Sequence, residues 1–467
     1  MSETKDYFFC GIGGSGMLPL AMIVKARGAH VEGSDRALDQ GRTAAKFDYL
    51  KSLGIALHPQ DGTGVTRGSQ TLVASAAVEE TVPDVVAAKR AGASRLSRAE
   101  LLAQLFNDSS TPIGVAGTSG KSTTTGMIGW ILHHAGMAPA VMNGAVMKNF
   151  VSADALFASA VIGGGDAFVS EVDESDGSIA MFKPKIAVLN NVALDHKSMD
   201  ELRDLFGRFI AKADIAVLNL DNEETARLAA ARENGKATYS LSNPAADLAA
   251  DKIEPQPFGV SFEVRHRDGG CAAVDLKMPG RHNVSNALAA IAAAMACGVA
   301  LEDAARALEA FEGVKRRLEY VGETGGVTII DDFAHNPDKI TASLNSLHEF
   351  PGRLLVMFQP HGFGPLRLMK NEFIETFSSH LATEDLLLMP EPVYFGGTVD
   401  RSVSSKDITH GVSAKGKNAE AFETREDCGR RLLALAKAGD RIVVMGARDD
   451  TLSVFANDLL DRLARRF

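Results

Sequence analysis

The residues best suited to chemistry form a glycine-rich stretch, Gly117-Thr118-Ser119-Gly120-Lys121-Ser122-Thr123. The apolar residues 113–116 before it predict a short buried strand, and the Lys-Ser pair is placed where a helix would begin. Backbone N–H groups of such a loop, together with a helix N-terminus, hold phosphate oxygens. Lys121 would add a positive charge, and the Ser122 hydroxyl could reach a phosphate-bound Mg²⁺. This stretch, called the phosphate loop below, predicts binding of a nucleoside triphosphate.

One position before the phosphate loop departs from the common pattern G-x-x-x-x-G-K-[ST]. Val115 stands where that pattern has its first glycine, which leaves the tighter form G-T-x-G-K-[ST]. The alternative is an ordinary glycine-rich turn between a strand and a helix. The preceding strand, the Lys-Ser pair and the threonine run together favour phosphate binding.

Another glycine motif lies near the start of the chain, in Gly11-Ile12-Gly13-Gly14-Ser15-Gly16. It has the form G-x-G-x-x-G, follows an apolar strand and precedes an amphipathic segment, and Asp35 comes about 20 positions later. This is the pattern of a Rossmann-like unit that holds a nucleotide phosphate. The motif alone is also compatible with a glycine turn that binds no ligand.

Acidic and imidazole side chains follow two further predicted strands. Glu171 comes directly after the predicted strand of residues 167–170, and Asp195-His196 come shortly after the predicted strand of residues 186–190. Ligands of α/β folds bind at the carboxyl ends of the strands, so these side chains could converge on a metal held by the triphosphate. The alternative is a solvated acidic turn and a surface histidine.

Two asparagines stand at the start of an alanine-rich helix, which is predicted for residues 287–297. Asn283 and Asn286 are three residues apart and therefore share a face of its first turn. An amide side chain donates and accepts hydrogen bonds at once, as recognition of an adenine edge requires. Capping of the helix start is the alternative.

The order of predicted strands and helices indicates an α/β fold with three domains. Residues 1–108 would form a Rossmann-like domain that ends at a polar linker. Residues 109–318 would form a P-loop ATPase-like parallel sheet with an antiparallel addition, a hairpin of residues 258–264 and 272–276. Residues 319–467 would form a second Rossmann-like domain, because its strand ends carry Asp332, His335 and His361.

Composition excludes several classes of protein. The chain of 467 residues is 45% hydrophobic and 23% charged, as a water-soluble globular protein would be. Its net charge of −10 argues against nucleic-acid binding. No apolar run is long enough for a membrane span, and the polar N-terminus is no signal peptide. The 4 scattered cysteines predict buried thiols in a reducing compartment, so we expect a cytoplasmic protein.

Taken in order, these motifs resemble those of the Mur ligase family, the ATP-dependent amide-forming ligases of peptidoglycan precursor synthesis. The resemblance extends along the whole chain, and it is greatest to the alanine-adding type and to its murein-tripeptide recycling relative. The motifs that carry it are residues 11–17, 32–35, 98–100, 117–125, 171–177, 195–196, 282–287 and 331–335.

The resemblance implies a reaction between a nucleotide sugar and an amino acid. The carboxylate of UDP-N-acetylmuramate would attack the γ-phosphate of ATP, with Mg²⁺ present, to give an acyl phosphate. The neutral amine of the amino acid, most simply L-alanine, would then displace phosphate. Two anions meet in the first step, so positive charge has to be concentrated there. Closure of the third domain would keep water from the acyl phosphate.

The same resemblance assigns roles to individual residues. The positions that match catalytic residues of the family are Lys121, Glu171, His196 and Arg317. Those that match its Mg²⁺ ligands are Ser122, Glu171 and His196. The ATP-binding positions are Gly117, Thr118, Ser119, Gly120, Lys121, Ser122, Thr123, His282, Asn283, Asn286, Arg317 and Asp332. Those for the UDP-sugar are Gly11, Gly13, Gly14, Ser15, Gly16 and Asp35, and those for the amino acid are His335, His361 and Arg367.

The sequence departs from the family pattern near the amino-acid site. The alanine-adding type carries His-His-Pro after its third-domain acid, whereas this chain has His335-Asn336-Pro337. The segment between His361 and Arg367 and the residues after His196 also differ from that type. The acceptor could therefore be another small amino acid or a murein peptide.

Three other functions compete with this interpretation. An NAD-dependent dehydrogenase would explain residues 11–16 and Asp35 but not Lys121, Ser122 and Glu171. A non-enzymatic ATP switch would have no need of the metal-binding positions. A folate-tailing or cyanophycin-type amide ligase shares the central domain but lacks a UDP-binding first domain of this form.

Overall fold

The computed structural model describes residues 4–76, 78–194, 197–393, 400–447, 449 and 451–466. Within them the strands form three sheets. By contacts the chain divides into two compact units. The first holds the chain up to Ile253 together with Phe262–Leu276 and Asn283–Gly313, and the second holds Glu254–Ser261, Lys277–His282 and the chain from Val314.

The first sheet has five parallel strands in the order β3-β2-β1-β4-β5. Its strands are β1 (Asp6–Cys10), β2 (His30–Ser34), β3 (Ala56–His58), β4 (Thr71–Ala74) and β5 (Ser94–Ser97). Its helices are α1 (Met17–Ala26), α2 (Arg36–Asp39), α3 (Ala44–Ser52), α4 (Pro83–Ala91) and α5 (Arg98–Asn107). Because helices cover both faces, the central strand β1 is almost wholly apolar, and Phe8 and Phe9 are fully buried.

The central sheet has ten strands in the order β15-β14-β13-β12-β11-β10-β6-β9-β7-β8. They are β6 (Thr111–Ala116), β7 (Ala140–Met142), β8 (Ala160–Val161), β9 (Ala167–Glu171), β10 (Ile186–Leu189), β11 (Ile215–Asn219), β12 (Lys236–Ser240), β13 (Leu248–Gln256), β14 (Gly259–His266) and β15 (Cys271–Leu276). The helices are α6 (Lys121–His134), α7 (Met199–Ala211), α8 (Glu223–Ala231), α9 (Arg281–Ala296) and α10 (Leu301–Glu309). The strand before the phosphate loop, β6, pairs in parallel with β9 on one side and β10 on the other.

The third sheet has six strands in the order β16-β17-β21-β18-β19-β20. They are β16 (Glu319–Thr324), β17 (Val327–Asp332), β18 (Leu354–Gln359), β19 (Leu386–Pro390), β20 (Asn418–Phe422) and β21 (Arg441–Gly446). The helices are α11 (Pro337–His348), α12 (Phe363–Leu368), α13 (Lys370–His380), α14 (Ser405–Ala414), α15 (Arg425–Leu435) and α16 (Thr451–Ala464). Among the strand pairs described for this sheet, β16–β17 is antiparallel and the others are parallel, so the sheet is Rossmann-like with one reversed edge.

The predicted fold class is confirmed, with a parallel first sheet and two mixed sheets. The domain bounds 108 and 318 stay predictions. Two expectations are corrected. Helix α9 begins at Arg281 rather than near residue 287, so Asn283 and Asn286 lie within it. Of the four thiols, Cys10 and Cys428 are buried, but Cys271 is exposed and Cys297 is half-buried.

Within the described ranges, every helix is too short or too polar to cross a membrane.

Candidate active site

The phosphate loop lies at the carboxyl end of β6 and runs into α6 at Lys121. Gly117 and Gly120 have φ of +129° and +80°, a region that favours glycine. A Cβ on Gly120 would lie 2.5 Å from Asn286 Oδ1 and 2.8 Å from Asn190 Nδ2. The loop can therefore take this tight path only with glycine at position 120. Thr123 is buried on α6 behind the loop.

The Lys121 ammonium points back over the loop rather than into solvent. Its Nζ donates to Gly117 O at 2.6 Å and to both carboxylate oxygens of Glu174, at 2.9 and 3.2 Å. The Lys121 side chain is 19% exposed and that of Glu174 is 5% exposed. The cation is thus held at the mouth of the loop, where a phosphate oxygen could reach it.

Glu171 ends β9 beside the phosphate loop, because Val115 and Glu171 pair in register between β6 and β9. The Ser122 hydroxyl donates to Glu171 Oε2 at 3.0 Å, and the Gly144 N–H also donates to this carboxylate. A hydroxyl and a carboxylate are the oxygen ligands that Mg²⁺ takes when phosphates supply further positions. Ser122 and Glu171 therefore fit a phosphate-bound Mg²⁺. The third predicted ligand, His196, lies outside the described residues, as does Asp195.

Two asparagines that the sequence did not single out brace the phosphate loop. Asn191 Oδ1 accepts from the Thr118 hydroxyl at 2.8 Å and from the Ser119 N–H at 2.9 Å. Asn190 Nδ2 donates to the Thr124 hydroxyl at 2.9 Å. Both follow β10, which pairs with β6, so their position is a consequence of strand order. The signal available in the sequence was an Asn-Asn pair directly after an apolar strand.

The predicted adenine-binding asparagines are both buried. Asn286 Nδ2 donates to Asn283 Oδ1 at 3.2 Å, and Thr124 Oγ1 donates to Asn286 Oδ1 at 3.3 Å. The two amides share a helix face, as their spacing predicted, and Asn286 also connects α9 to the helix of the phosphate loop. Their role in adenine recognition stays a prediction.

The first glycine motif forms the turn between β1 and α1. Gly11 has a φ of +79°, and its N–H donates to Ser34 O at 2.8 Å. Asp35 accepts from the Gly13 N–H at 2.8 Å and caps α2 through Ala37. The predicted acid thus holds the turn itself. Gly14 and Ser15 are exposed at its tip.

Arg98, a motif residue without an assigned role, lies against this turn. Its guanidinium is so close to Gly16 that a side chain at position 16 would clash with it. Arg98 Nη2 also lies 4.0 Å from Asp176 Oδ2, in the segment that carries Glu171 and Glu174. The third glycine of the motif therefore leaves room for a cation beside the turn.

In the second unit, Asp332 ends β17 and is buried. Its carboxylate accepts from the Leu318 N–H at 3.1 Å and from the Ser343 hydroxyl. The Arg317 guanidinium carbon lies 4.9 Å from the centre of the Phe333 ring. His282 Nδ1 lies 3.4 Å from the Ser346 hydroxyl. Asp332 is the last residue of β17, and Arg317 lies two residues before β16, the strand that pairs with β17.

The predicted amino-acid residues are brought together only in part. The rings of His335 and His361 meet edge to face, with centres 5.3 Å apart. Burial, followed by the charge of Lys339, lowers the pKa of His335 to about 3, so its ring is neutral near pH 7. Arg367, by contrast, is exposed on α12 and pairs with Asp400. Asn336, the departure from the family pattern, caps α11 through the Lys339 N–H at 3.0 Å.

Comparison with known proteins identifies the family. Models of the Mur ligase family catalytic domain, the Mur ligase middle domain and the Mur ligase glutamate ligase domain match residues 6–110, 115–294 and 316–448. A UDP-N-acetylmuramate–L-alanine ligase of Desulfosudis oleivorans is 35% identical over 455 residues, which cover 95% of each chain. The chain belongs to the Mur ligase family.

Solved structures of Mur ligases share its fold. The UDP-N-acetylmuramate–alanine ligase of Thermotoga maritima is 24% identical with a TM-score of 0.80, and covers 99% of this chain and 100% of its own. The murein peptide ligase of Psychrobacter arcticus is 25% identical with a TM-score of 0.73, and covers 98% and 99%. This Mur ligase is therefore an ATP-dependent ligase enzyme, which confirms the predicted family and enzyme class.

Proposed function

We propose that this Mur ligase joins L-alanine to the carboxylate of UDP-N-acetylmuramate, with conversion of ATP to ADP and phosphate, in the synthesis of peptidoglycan precursors. The observation that carries the proposal is the end-to-end match to a ligase of that name, at 35% identity over 95% of both chains. The reaction needs a nucleotide, a carboxylate and an amine, and it would take place in the cytoplasm, where nucleotide precursors are made.

The first step joins two anions, so its barrier falls when positive charge is fixed near both. Lys121 is held at the mouth of the phosphate loop by Gly117 and Glu174, and we propose that its ammonium contacts the terminal phosphates. Ser122 and Glu171 would hold Mg²⁺, which supplies further positive charge at the phosphates. His196 and Arg317 are proposed to complete this set.

The remaining assignments are proposals of the same kind. The backbone of residues 117–123 would hold the triphosphate, and the turn at residues 11–16, with Asp35, would hold the phosphates of UDP. We propose that His282, Asn283, Asn286 and Asp332 bind the nucleoside of ATP. The three domains are proposed to comprise residues 1–108, 109–318 and 319–467, in accord with the segments that the family models match.

The amino acid is proposed to bind near His335, His361 and Arg367. A neutral His335 suits this place, because an amine attacks an acyl phosphate only in its uncharged form and a neutral imidazole can accept the proton that the amine gives up. A murein peptide is the second candidate for the acceptor. Two observations support this second candidate: the likeness to the Psychrobacter arcticus murein peptide ligase, and Asn336 at a position where the alanine-adding type has histidine.

The test is a screen of acceptors. Purified enzyme, ATP, Mg²⁺ and UDP-N-acetylmuramate are supplied with each common L-amino acid, with D-alanine, or with L-alanyl-γ-D-glutamyl-meso-diaminopimelate, and ADP formation is measured. We expect L-alanine to give the highest kcat/KM. A higher value with the tripeptide would make this a recycling ligase, and no ADP with any acceptor would reject the substrate assignment.

A further inference from the structure

In the reaction described above Glu174 only holds Lys121 in position, and no role is given to the charge of its carboxylate. Both oxygens of the Glu174 carboxylate lie within hydrogen-bond distance of the Lys121 ammonium. Glu174 is 4% exposed, so its charge is partly removed from water and acts strongly on near neighbours. A phosphate that approaches Lys121 therefore also approaches a buried negative charge.

Glu174 is fixed in this position by its own turn. The Gly177 N–H donates to Glu174 O at 3.1 Å, and Gly177 has a φ of +77°. The Asp173 carboxylate accepts from the Ser175 N–H at 2.9 Å, and the Asp176 carboxylate accepts from the Ser178 N–H at 2.9 Å. These hydrogen bonds fix the backbone of the turn that carries Glu174, and the Lys121 ammonium holds the Glu174 carboxylate through both of its oxygens.

Two acidic residues, three positions apart in the sequence, contact different side chains of the phosphate loop. Glu171 contacts Ser122, whereas Glu174 contacts Lys121. Because the Lys121–Glu174 pair has no net charge, the loop does not attract anions as a free lysine would. A triphosphate that carries a divalent cation brings its own positive charge and is repelled less by Glu174 than a bare triphosphate is.

We propose that Glu174 is a specificity-determining residue that makes the phosphate loop select metal-bound nucleotides over metal-free nucleotides and other simple anions. The proposal rests on the proposed function of the phosphate loop as an ATP site. It assigns to Glu174 an effect on which form of the nucleotide binds, separate from the part that Glu171 plays in holding the metal.

The test measures ADP binding by titration calorimetry, with Mg²⁺ and with a chelator in its place. In wild-type protein we expect Mg²⁺ to tighten ADP binding strongly. Glu174→Gln keeps the shape of the side chain but removes its charge, so metal-free ADP should bind about tenfold more tightly. The ratio of the two dissociation constants should shrink by a similar factor. Glu174→Ala should shift the ratio in the same direction.

Two controls separate this effect from a general change of charge or stability. Asp176→Asn removes one charge from the same turn, but Asp176 lies near Arg98, so the ratio should stay at the wild-type value. In Lys121→Ala protein the Glu174 carboxylate lacks the ammonium that offsets its charge, so adding Glu174→Gln should tighten metal-free binding by at least as large a factor as in the wild-type background.

Unchanged ratios in both Glu174 variants, with Mg·ADP bound normally, would overturn this inference and leave the proposed ligase function standing. An equal shift in Asp176→Asn would overturn it as well. If wild-type protein bound no nucleotide in either condition, the proposed function and this inference would both be wrong.

Discussion

At the scale of single residues, carboxylates position the two side chains of the phosphate loop that are proposed to act in the reaction. Lys121 and Ser122 each contact a different carboxylate, at 2.9 and 3.0 Å. The sequence predicted the loop and the roles of Lys121, Ser122 and Glu171 from their types and spacing. It did not predict Glu174 or Asn191 as partners, because contacts across 53 and 72 residues of chain depend on which strands are neighbours.

Lys121→Ala should lower kcat on the order of 100-fold or more, because charge that stabilises a transferring phosphoryl group would be lost. The measurement is ADP formation at saturating ATP, UDP-N-acetylmuramate and L-alanine. Lys89→Ala is the matched control, since Lys89 is exposed and pairs only with Glu80 in the described structure. Wild-type kcat in Lys121→Ala protein would remove Lys121 from the catalytic residues.

Alanine substitutions at two glycines with left-handed backbone, Gly298 and Gly120, distinguish the cost of backbone strain from the cost of a steric clash. Gly298 has a φ of +90° with open space at its Cβ position, so Gly298→Ala should cost roughly 1–2 kcal/mol of unfolding free energy. Gly120→Ala carries the same strain and also forces a Cβ to 2.5 Å from Asn286 Oδ1. We therefore expect a larger loss of stability, together with loss of ATP binding.

Urea denaturation followed by circular dichroism, with calorimetry for ATP, measures both effects. If Gly120→Ala were no less stable than Gly298→Ala and still bound ATP, the tight contact between the loop and α9 would not be needed.

At the scale of elements, the position of the site follows from the order of three strands. β6 lies between β9 and β10, so the loops after all three meet at one edge of the sheet. Their apolar runs made these strands predictable. The short strands β7 and β8 and the polar edge strands β5 and β20 were not, because their sequences carry little apolar periodicity. Helix α9 begins earlier than predicted because Val284 is the single apolar residue among its first six, so the alanine-rich pattern starts only at residue 287.

The segment between β17 and α11 gives a prediction about pH. His335 lies there with a pKa lowered to about 3, whereas an unfolded histidine titrates near pH 6.5. Between these values the unfolded chain binds a proton that the folded protein does not, so stability falls as the pH is lowered through that window. His335→Asn should reduce this loss between pH 7 and about pH 4.

The free energy of unfolding, measured in urea across that pH range, checks this expectation. His410→Asn serves as the matched control, since His410 is an exposed histidine on α14 of the same unit. A pH dependence in His335→Asn protein as steep as in the wild type would mean that His335 is not kept neutral by the fold.

At the scale of the whole molecule, the order of motifs from residue 11 to residue 335 predicted the family, and the comparisons confirm it. No single motif could have done so, since a glycine turn or a Lys-Ser pair occurs in many folds. The acceptor is harder to predict because its residues are few and differ from the family pattern. His335 and His361 are in contact, yet Arg367 pairs with Asp400 on the surface.

The central claim is that the enzyme activates a carboxylate of UDP-N-acetylmuramate as an acyl phosphate and transfers it to L-alanine. The most direct measurement follows a heavy-oxygen label placed in that carboxylate, with mass spectrometry of the products. We expect one labelled oxygen to appear in the released phosphate, together with UDP-N-acetylmuramoyl-L-alanine and one ADP per amide formed. Unlabelled phosphate, or phosphate released without an amide product, would contradict the account.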